Sequence, residues 1–339
     1  MTLYPVGSAE RDTFVLSRRP ERRHHDPWRH QGVIVEHEPA ADGRLQDVAT
    51  IFLTGSECPW KCVMCDLWQY TTIADTPSGA IPAQIERALQ AINGGHEGAR
   101  APSVLKLYNA GSFFDPRAVP EGDYDAIVRA LCSPSRVIVE CHPALIGPRL
   151  DRFVNALATK AFKDECATPT LEVAMGLETA HPTALEKLHK RFTLGVFEDA
   201  CNELRIRGAD LRVFLLVSPP FIPAHEQDYW LARSIDFSIA CGATAISIIP
   251  TRTGNGAMEA LEAAGEYRPP MLADAERSLA QAIETAGGRA RVFLDMWNIE
   301  NAAACGRCRP ARVARLREMN LMQAVLPEVS CSFANDPHV

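Results

Sequence analysis

From residue 49 onward the chain alternates short apolar runs with amphipathic segments, and this order restricts its fold more than any other feature. The runs are rich in Val, Ile, Leu and Phe. Most of them lack a polar–apolar alternation, which is typical of strands buried on both faces of a parallel sheet. Seven runs meet this description: 49–55, 103–109, 136–141, 170–176, 211–218, 244–250 and 289–294.

Amphipathic helical segments fill the gaps between the apolar runs. In one of them Ile85, Leu89 and Ile92 share a face after Pro82, a residue suited to the first turn of a helix. Strands that alternate with helices of this length predict βαβ units, right-handed crossovers and a parallel sheet. Six or seven such units are too few for a complete eight-stranded barrel. In parallel α/β folds the ligand site lies at the carboxyl ends of the strands.

The composition is that of an ordinary globular protein, with 47% hydrophobic and 23% charged residues among 339. No apolar run approaches the ~18–20 residues of a membrane span, and the first residues lack the pattern of a secretory signal. Together with the sparse cysteines this predicts a cytoplasmic protein without membrane association. The net charge of −7 argues against nucleic acid as the default partner.

Cys58, Cys62 and Cys65 follow the first apolar run at the spacing C-x3-C-x2-C. Three thiolates on one loop can bind three irons of a [4Fe–4S] cube, because such clusters need soft sulfur ligands. The fourth iron then stays open for a small molecule. Zinc is the alternative, but structural zinc needs a fourth protein ligand and no further His or Cys follows within this loop. A disulfide scaffold would need a denser set of cysteines than 11 in 339 residues.

The stretch 54–68, which holds these cysteines, resembles the signature loop of the radical S-adenosylmethionine (radical SAM) enzymes. The likeness lies in the cysteine spacing, the position after a first strand and the apolar Met64 before the last cysteine. In that family the open iron chelates the amino and carboxylate groups of SAM. The resemblance implies an α/β fold with a partial (β/α)6 TIM-like barrel and a parallel sheet over residues 49–295. An N-terminal arm (1–48) and a cysteine-containing C-terminal extension (296–339) would flank it, and flavodoxin or ferredoxin would donate the electron.

Most radical SAM enzymes have a Gly-Gly-Glu motif at the end of the second strand, where it meets the SAM amino group. This chain has Asn109-Ala110-Gly111-Ser112 there, followed by Phe-Phe-Asp-Pro. The sequence resembles the branch of elongator-type and archaeosine-biosynthesis radical SAM proteins. Gly111 lets backbone carbonyls approach a ligand, so Ala110, Gly111 and Ser112 are candidate SAM contacts. An ordinary strand-to-loop turn is the alternative.

Later strand ends supply further candidate cofactor contacts. Glu178 follows the fourth strand, where a carboxylate can accept hydrogen bonds from the ribose hydroxyls or the ammonium of SAM. Lys190 lies downstream and is a candidate for the SAM carboxylate, with a surface Glu178–Lys190 ion pair as the alternative. Ser218 ends the fifth strand where the family contacts SAM. Ile249, at the end of the sixth strand, is a candidate wall for adenine, and Met64 is a further candidate contact.

Two cationic segments invite a functional interpretation. Arg252 lies in the polar segment 251–256, which we expect to be flexible, and is a candidate for binding a substrate anion. A structural contact of its guanidinium with a neighbouring carbonyl is the alternative. The stretch 18–30 carries five Arg and three His. We expect it to dock on an acidic surface of the barrel through its arginines, with binding of an anionic substrate as the alternative.

A second cysteine group lies near the C-terminus, where Cys305 and Cys308 form a C-x2-C pair and Cys331 follows. The spacing is typical of a metal knuckle. It could be a zinc site with His338 or another group as fourth ligand, or an auxiliary iron–sulfur cluster. The three thiols could also bind a soft substrate directly, or remain reduced without a ligand.

These observations lead to one main hypothesis and three others. The main one is a radical SAM enzyme that cleaves SAM reductively and acts on a small-molecule substrate. Because the Gly-Gly-Glu motif is altered, a different carbon–sulfur bond could break and release a 3-amino-3-carboxypropyl group, for example for transfer to arsenite as in arsinothricin-type biosynthesis. The others are modification of a tRNA base, and a non-enzymatic iron–sulfur protein that senses metal.

Overall fold

The computed structural model of the protein describes residues 4–94, 102–131 and 134–330. Its strands are β1 (Gly32–Pro39), β2 (Leu45–Phe52), β3 (Val104–Tyr108), β4 (Arg136–Glu140), β5 (Thr170–Glu178), β6 (Asp210–Val217), β7 (Ala243–Pro250) and β8 (Arg291–Leu294). Its α-helices are α1 (Ser8–Leu16), α2 (Ala80–Gly94), α3 (Tyr124–Ala130), α4 (Pro148–Lys163), α5 (Pro182–Lys187), α6 (Leu194–Ile206), α7 (Gln227–Ala240), α8 (Ala257–Ala263), α9 (Leu272–Ala286) and α10 (Arg309–Met322). In this part of the chain no helix has both the length and the apolar character needed to cross a membrane.

The described strands form one sheet in the order β1 to β8, so each strand pairs with its neighbours along the chain. β1 runs antiparallel to β2, and every pair from β2 to β8 is parallel. Each of the seven predicted apolar runs coincides with one parallel strand, β2 to β8. The α/β class and the barrel-like parallel sheet are thereby confirmed.

The sheet begins earlier and has more strands than the sequence predicts. β1 and the first residues of β2 lie within 1–48, the segment expected to be an arm, and the sheet has eight described strands, one more than the seven predicted apolar runs. β1 is an edge strand whose four central residues, 34–37, are exposed, so it lacks the continuous apolar run that identifies the others. Its turn into β2 uses Gly43, whose φ of 80° suits glycine and whose N–H donates to the carbonyl of Ala40.

The main hydrophobic core lies on the side of the sheet that faces the helices. Alternate strand residues such as Ile51, Val139 and Val213 are fully buried on that side. The predicted inner face of α2 packs there as well, because Ile85 is fully buried and Leu89 nearly so. The amphipathic helices therefore fix the outer layer around a barrel-like sheet.

The opposite side of the sheet carries a layer of buried charges. Lys106 pairs with Glu38, and Arg212 binds Glu172 (Nε to Oε1, 2.6 Å) and Glu38 (Nη2 to Oε2, 3.0 Å). Burial would raise the pKa of Glu38, but Arg212 and Lys106 outweigh it and lower that pKa to about 2. Lys106, Glu172 and Arg212 are each the third residue of their strand. The paired charges thus form a layer that lies away from the carboxyl ends of the strands.

The open edge of β8 is covered by two side-chain amides of α10 and the residue that follows it. Asn320 accepts from the N–H of Leu294 (2.8 Å) and donates to its carbonyl (2.9 Å). Gln323 does the same to Val292, at 2.6 and 2.7 Å. These contacts take the place of a neighbouring strand, so the backbone groups of the β8 edge are satisfied.

Candidate functional site

The three-cysteine loop follows β2 at the carboxyl edge of the sheet and packs on the end of β3. Cys62 is buried, and Cys58 and Cys65 are half-buried. Gly111, just after β3, leaves no room for a bulky residue, because a Cβ there would lie 3.4 Å from the carbonyl oxygen of Ser56 and 3.8 Å from Cys58 Cβ. The sheet edge and the cysteine loop are therefore in direct contact.

The three thiols of the loop do not converge on a single point. In the described chain no three His, Cys, Asp or Glu side chains converge closely enough to hold one metal ion. A cube needs no such convergence, since each cysteine binds a different iron. Burial raises the pKa of Cys58 and Cys65, and raises that of Cys62 to about 12. The thiols are thus protonated at neutral pH unless a cation such as iron stabilises the thiolates.

Three residues predicted to contact the cofactor share an uncommon backbone conformation. Ala110, Glu178 and Ser218 have φ angles of 53°, 70° and 54°, in the left-handed region that residues other than glycine rarely adopt. They stand at the ends of β3, β5 and β6. Such conformations cost about 1–3 kcal/mol each and concentrate at functional sites, where surrounding contacts enforce them. The sheet thus turns sharply at the predicted positions.

Glu178 and Lys190 form a buried ion pair instead of a surface one. Lys190 Nζ lies 2.6 Å from Glu178 Oε1, and both residues are less than a tenth exposed. Burial would lower the pKa of Lys190, but the carboxylate of Glu178 and the nearby Cys62 thiol outweigh it and raise that pKa. Gly176 makes room for the pair, since a Cβ there would lie 2.4 Å from Glu178 Oε1 and 2.5 Å from Lys190 Nζ. A charged pair thus lies beside the cysteine loop.

Glu140, at the end of β4, belongs to the site although the sequence analysis did not select it. The N–H of Asn109 donates to Glu140 Oε1 at 2.6 Å, and the backbone N–H groups of Ala110 and Gly111 also donate to this carboxylate. Burial raises the pKa of Glu140 to about 7. Its position as the last residue of an apolar strand was the available signal. The carboxylate holds the backbone that replaces the Gly-Gly-Glu motif.

The same strand end contains polar atoms that lack a partner in the protein. Within the described residues neither side-chain atom of Asn109 forms a hydrogen bond, nor does the hydroxyl of Ser56 in the cysteine loop. Both residues are fully buried. Ser112 is satisfied, because its hydroxyl accepts from the N–H of His142 at 3.0 Å. Buried orphan groups of this kind are rare and indicate a bound ligand or water.

Aromatic and apolar side chains line the site on two sides. Trp60 of the cysteine loop stacks on His142, with ring centroids 3.5 Å apart. Burial lowers the pKa of His142 to about 3, so the imidazole is neutral. Met64 and Ile249, both predicted as cofactor contacts, pack against one apolar cluster that includes Val63. Both predicted residues therefore pack against the same apolar cluster.

Arg252 and its segment make several contacts with neighbouring side chains. Arg252 Nη2 lies 2.8 Å from Asp295 Oδ2, and its guanidinium lies over the ring of Trp297. The N–H of Gly256 donates to Glu259 at 2.7 Å. The Arg252 guanidinium therefore already has a carboxylate partner, and the expected flexibility of the segment stays a prediction.

The basic N-terminal stretch docks beside the cysteine loop, as expected. Arg19 Nη1 lies 2.9 Å from Glu57 Oε1, and Arg22 pairs with the same carboxylate. Both guanidinium groups also lie over the ring of Trp68. Glu57 directly precedes Cys58, so the arm covers the outside of the loop.

The C-terminal cysteines can be placed only in part. Cys305 is buried and Cys308 half-buried, with Cys308 Sγ 3.7 Å from the carbonyl oxygen of Cys305, at the start of α10. Cys331 and His338 lie outside the described residues. The predictions of metal or substrate binding by these cysteines therefore remain predictions.

Comparison with known proteins gives the following similarities. No family model matches the chain. It is 28% identical over 255 residues to archaeosine synthase subunit beta of Methanosarcina acetivorans. The aligned region covers 69% of each chain. Two solved structures are similar: a radical SAM methyltransferase from Sphaerobacter thermophilus (TM-score 0.48, 12% identity, 85% of this chain and 81% of that one) and methylornithine synthase, PylB (TM-score 0.49, 12% identity, 84% and 76%).

The chain's own features agree with the similarity to the archaeosine synthase subunit. The C-x3-C-x2-C loop follows the first parallel strand, the parallel sheet has the predicted order, and Gly111 at the end of β3 lies against the loop. These are the features that the resemblance to the radical SAM family implies.

Proposed function

We propose that the protein binds a [4Fe–4S] cluster through Cys58, Cys62 and Cys65, cleaves SAM reductively, and directs the resulting radical to a small-molecule substrate at the barrel mouth. The observation that carries the proposal is the contact of the cysteine loop with Gly111, at the end of β3 where Ala110 has a left-handed backbone conformation. When bound, such a cluster supplies the electron that breaks a carbon–sulfur bond of the SAM sulfonium.

The buried pair of Glu178 and Lys190 suits the charged end of SAM. SAM carries an ammonium and a carboxylate on one carbon, so a carboxylate and an ammonium 2.6 Å apart offer a matching partner to each. Because both side chains are buried, water competes weakly for them and the electrostatic attraction is strong. On binding, these residues exchange part of their mutual contact for contacts with the ligand.

The end of β3 supports a modified way of holding the SAM amino group. Glu140 fixes the backbone of Asn109 and Ala110, and the Asn109 amide has a donor and an acceptor without a partner in the described protein. In this proposal Ala110, Gly111 and Ser112 contact the ligand mainly through backbone atoms.

The adenine and ribose would lie on the opposite side of the site. Met64 and Ile249 contribute an apolar wall next to the cysteine loop, and Ser218 adds a hydroxyl at the end of β6. A purine ring gains several kcal/mol from such burial, at about 25 cal/mol per Å². These side chains orient the nucleoside and exclude water.

The substrate would enter from the carboxyl edge, since paired charges fill the opposite end of the barrel. Arg252 is a candidate contact for a substrate anion, although it must then share its guanidinium with Asp295. Cys305 and Cys308 are candidates for a soft substrate, zinc or a second cluster.

Anaerobic reconstitution with iron and sulfide, followed by dithionite and SAM, tests the proposal directly. We expect one cluster per chain and formation of a cleaved nucleoside. 5′-Deoxyadenosine would indicate the usual bond cleavage, and methylthioadenosine would indicate transfer of a 3-amino-3-carboxypropyl group. Cys62→Ser should lose the cluster and all turnover, and the exposed Cys166→Ser serves as its matched control. A Cys62→Ser protein that still cleaves SAM would refute the proposal, and iron beyond one cluster would point to Cys305 and Cys308.

A second candidate function follows from the name of one relative. Archaeosine synthase subunit beta is named for the synthesis of a modified nucleoside, so a nucleobase is the alternative substrate class. Filter binding with bulk tRNA at several salt concentrations separates the two. A steep loss of binding with salt would favour the nucleic-acid substrate, because phosphate contacts release counterions.

A further inference from the structure

The segment between β7 and α8 contains one side chain, that of Asn255, that forms hydrogen bonds with two residues of the cysteine loop. Asn255 Nδ2 donates to the carbonyl of Val63 at 2.8 Å and to that of Cys65 at 3.2 Å. These carbonyls lie on either side of Met64, in the turn that connects Cys62 to Cys65. Asn255 is only 1% exposed, so both hydrogen bonds are shielded from water.

Asparagine is the residue type that this position requires. Its Oδ1 accepts from the N–H of Met258 at 2.9 Å, which satisfies the first turn of α8. The amide nitrogen thus donates two hydrogen bonds to carbonyls of the loop, and the amide oxygen accepts one from the helix. Neither Asp nor Ser provides this combination. The side chain therefore connects a helix start to the cysteine loop without leaving a polar atom unsatisfied.

The segment that carries Asn255 is itself held in place. Gly256 has a φ of 81°, and a Cβ there would lie 1.8 Å from the carbonyl oxygen of Arg18, so the N-terminal arm presses directly on this backbone. Gln69 donates to the carbonyl of Gly254 at 3.1 Å, and Tyr267 donates to that of Thr251 at 2.8 Å. The amide of Asn255 is thus presented to the loop from a fixed support.

We propose that Asn255 is a positioning residue that holds the Cys62–Cys65 turn in its cluster-binding conformation before iron arrives. This inference rests on the proposed function, since it assumes that the three cysteines bind a cluster. Hydrogen bonds that orient metal ligands change metal affinity by about 10–100-fold when removed. Asn255 makes such contacts with the backbone that carries two of the three cysteines.

Two substitutions separate the loop contacts from the helix contact. Asn255→Ala removes all three hydrogen bonds. Asn255→Asp keeps an acceptor for Met258 but removes both donors and adds a negative charge beside the Val63 and Cys65 carbonyls. Glu262→Ala is the matched control, because Glu262 is exposed on α8, the helix that follows Asn255.

The first measurements are made on the reconstituted holoprotein under anaerobic conditions. We expect both Asn255 variants to lose the cluster about 10–100-fold faster than the wild type in the presence of a chelator. We also expect Asn255→Asp to shift the cluster midpoint potential to a more negative value, because a nearby negative charge favours the oxidised state. Glu262→Ala should match the wild type in both respects. Equal cluster lifetimes in wild type and Asn255 variants, or equal losses in Asn255→Ala and Glu262→Ala, would overturn the inference.

A measurement on the metal-free protein keeps the two proposals distinguishable. Amide hydrogen exchange in residues 62–66 should accelerate in both Asn255 variants and stay unchanged in Glu262→Ala, with or without iron. If the wild type takes up no cluster, the proposed function fails while this measurement still tests the role of Asn255. If exchange is the same in all proteins, Asn255 does not position the turn.

Discussion

The raised pKa of Glu140 gives a pH dependence of stability that can be worked out from the structure. Burial raises the pKa to about 7 from a usual value of 4.5, a difference of about 2.5 units. At about 1.36 kcal/mol per unit, ionised Glu140 costs the folded state roughly 3 kcal/mol. Below pH 4.5 the carboxyl is protonated in both states. Between 4.5 and 7 the unfolded chain has lost this proton and the folded one has not, so stability falls as pH rises through that window and is level above it.

Glu140→Gln removes the charge and keeps an oxygen that can accept from the N–H of Asn109. The variant should equal the wild type in unfolding free energy near pH 4.5 and exceed it by up to about 3 kcal/mol at pH 8. Denaturant unfolding of the metal-free protein at several pH values measures this difference, with the exposed Glu284→Gln as control. A difference that does not change with pH, or one that favours the wild type at pH 8, would refute the conclusion that burial raises the pKa of Glu140.

Two further predictions concern the ion pair at the site and the edge of the sheet. Gly176→Ala places a methyl group within 2.5 Å of both Glu178 and Lys190, so the pair must separate; SAM binding, measured by calorimetry, should weaken by about tenfold or more while the circular dichroism spectrum stays that of the wild type. Unchanged affinity would exclude this pair from the SAM site. Asn320→Ala leaves two backbone groups of β8 without partners and should cost about 2 kcal/mol of unfolding free energy, with increased self-association seen by light scattering. A monomeric variant of unchanged stability would show that Asn320 does not protect this edge.

The strands of the parallel sheet were predictable because each one is buried on both faces. Their apolar runs need no knowledge of neighbours, and all seven coincide with β2 to β8. β1 was missed for the opposite reason. It is half-exposed at the edge of the sheet, its central residues are mixed in polarity, and only its pairing with β2 makes it a strand.

The site residues also divide into those that local sequence identifies and those that only tertiary contacts identify. Cys58, Cys62 and Cys65 could be selected from their spacing, because all three lie on one short loop. Glu140 could not be ranked above other acidic residues, because its importance comes from the three backbone groups of another strand that it binds. Asn255 was inside a segment expected to be flexible, and its role depends on a contact with residues about 190 positions earlier in the chain.

By itself the sequence determined the class of the fold, the cysteine loop and the resemblance to a family, because these depend on local spacing and on burial that each strand shows alone. The tertiary structure decided which polar groups meet at the carboxyl edge of the sheet. It buries the ion pair of Glu178 and Lys190, brings Glu140 within hydrogen-bond distance of the end of β3, and places Asn255 within hydrogen-bond distance of the cysteine loop. The physical reason is that hydrogen bonds and ion pairs depend on distances of a few ångströms between distant parts of the chain. Only folding fixes those distances.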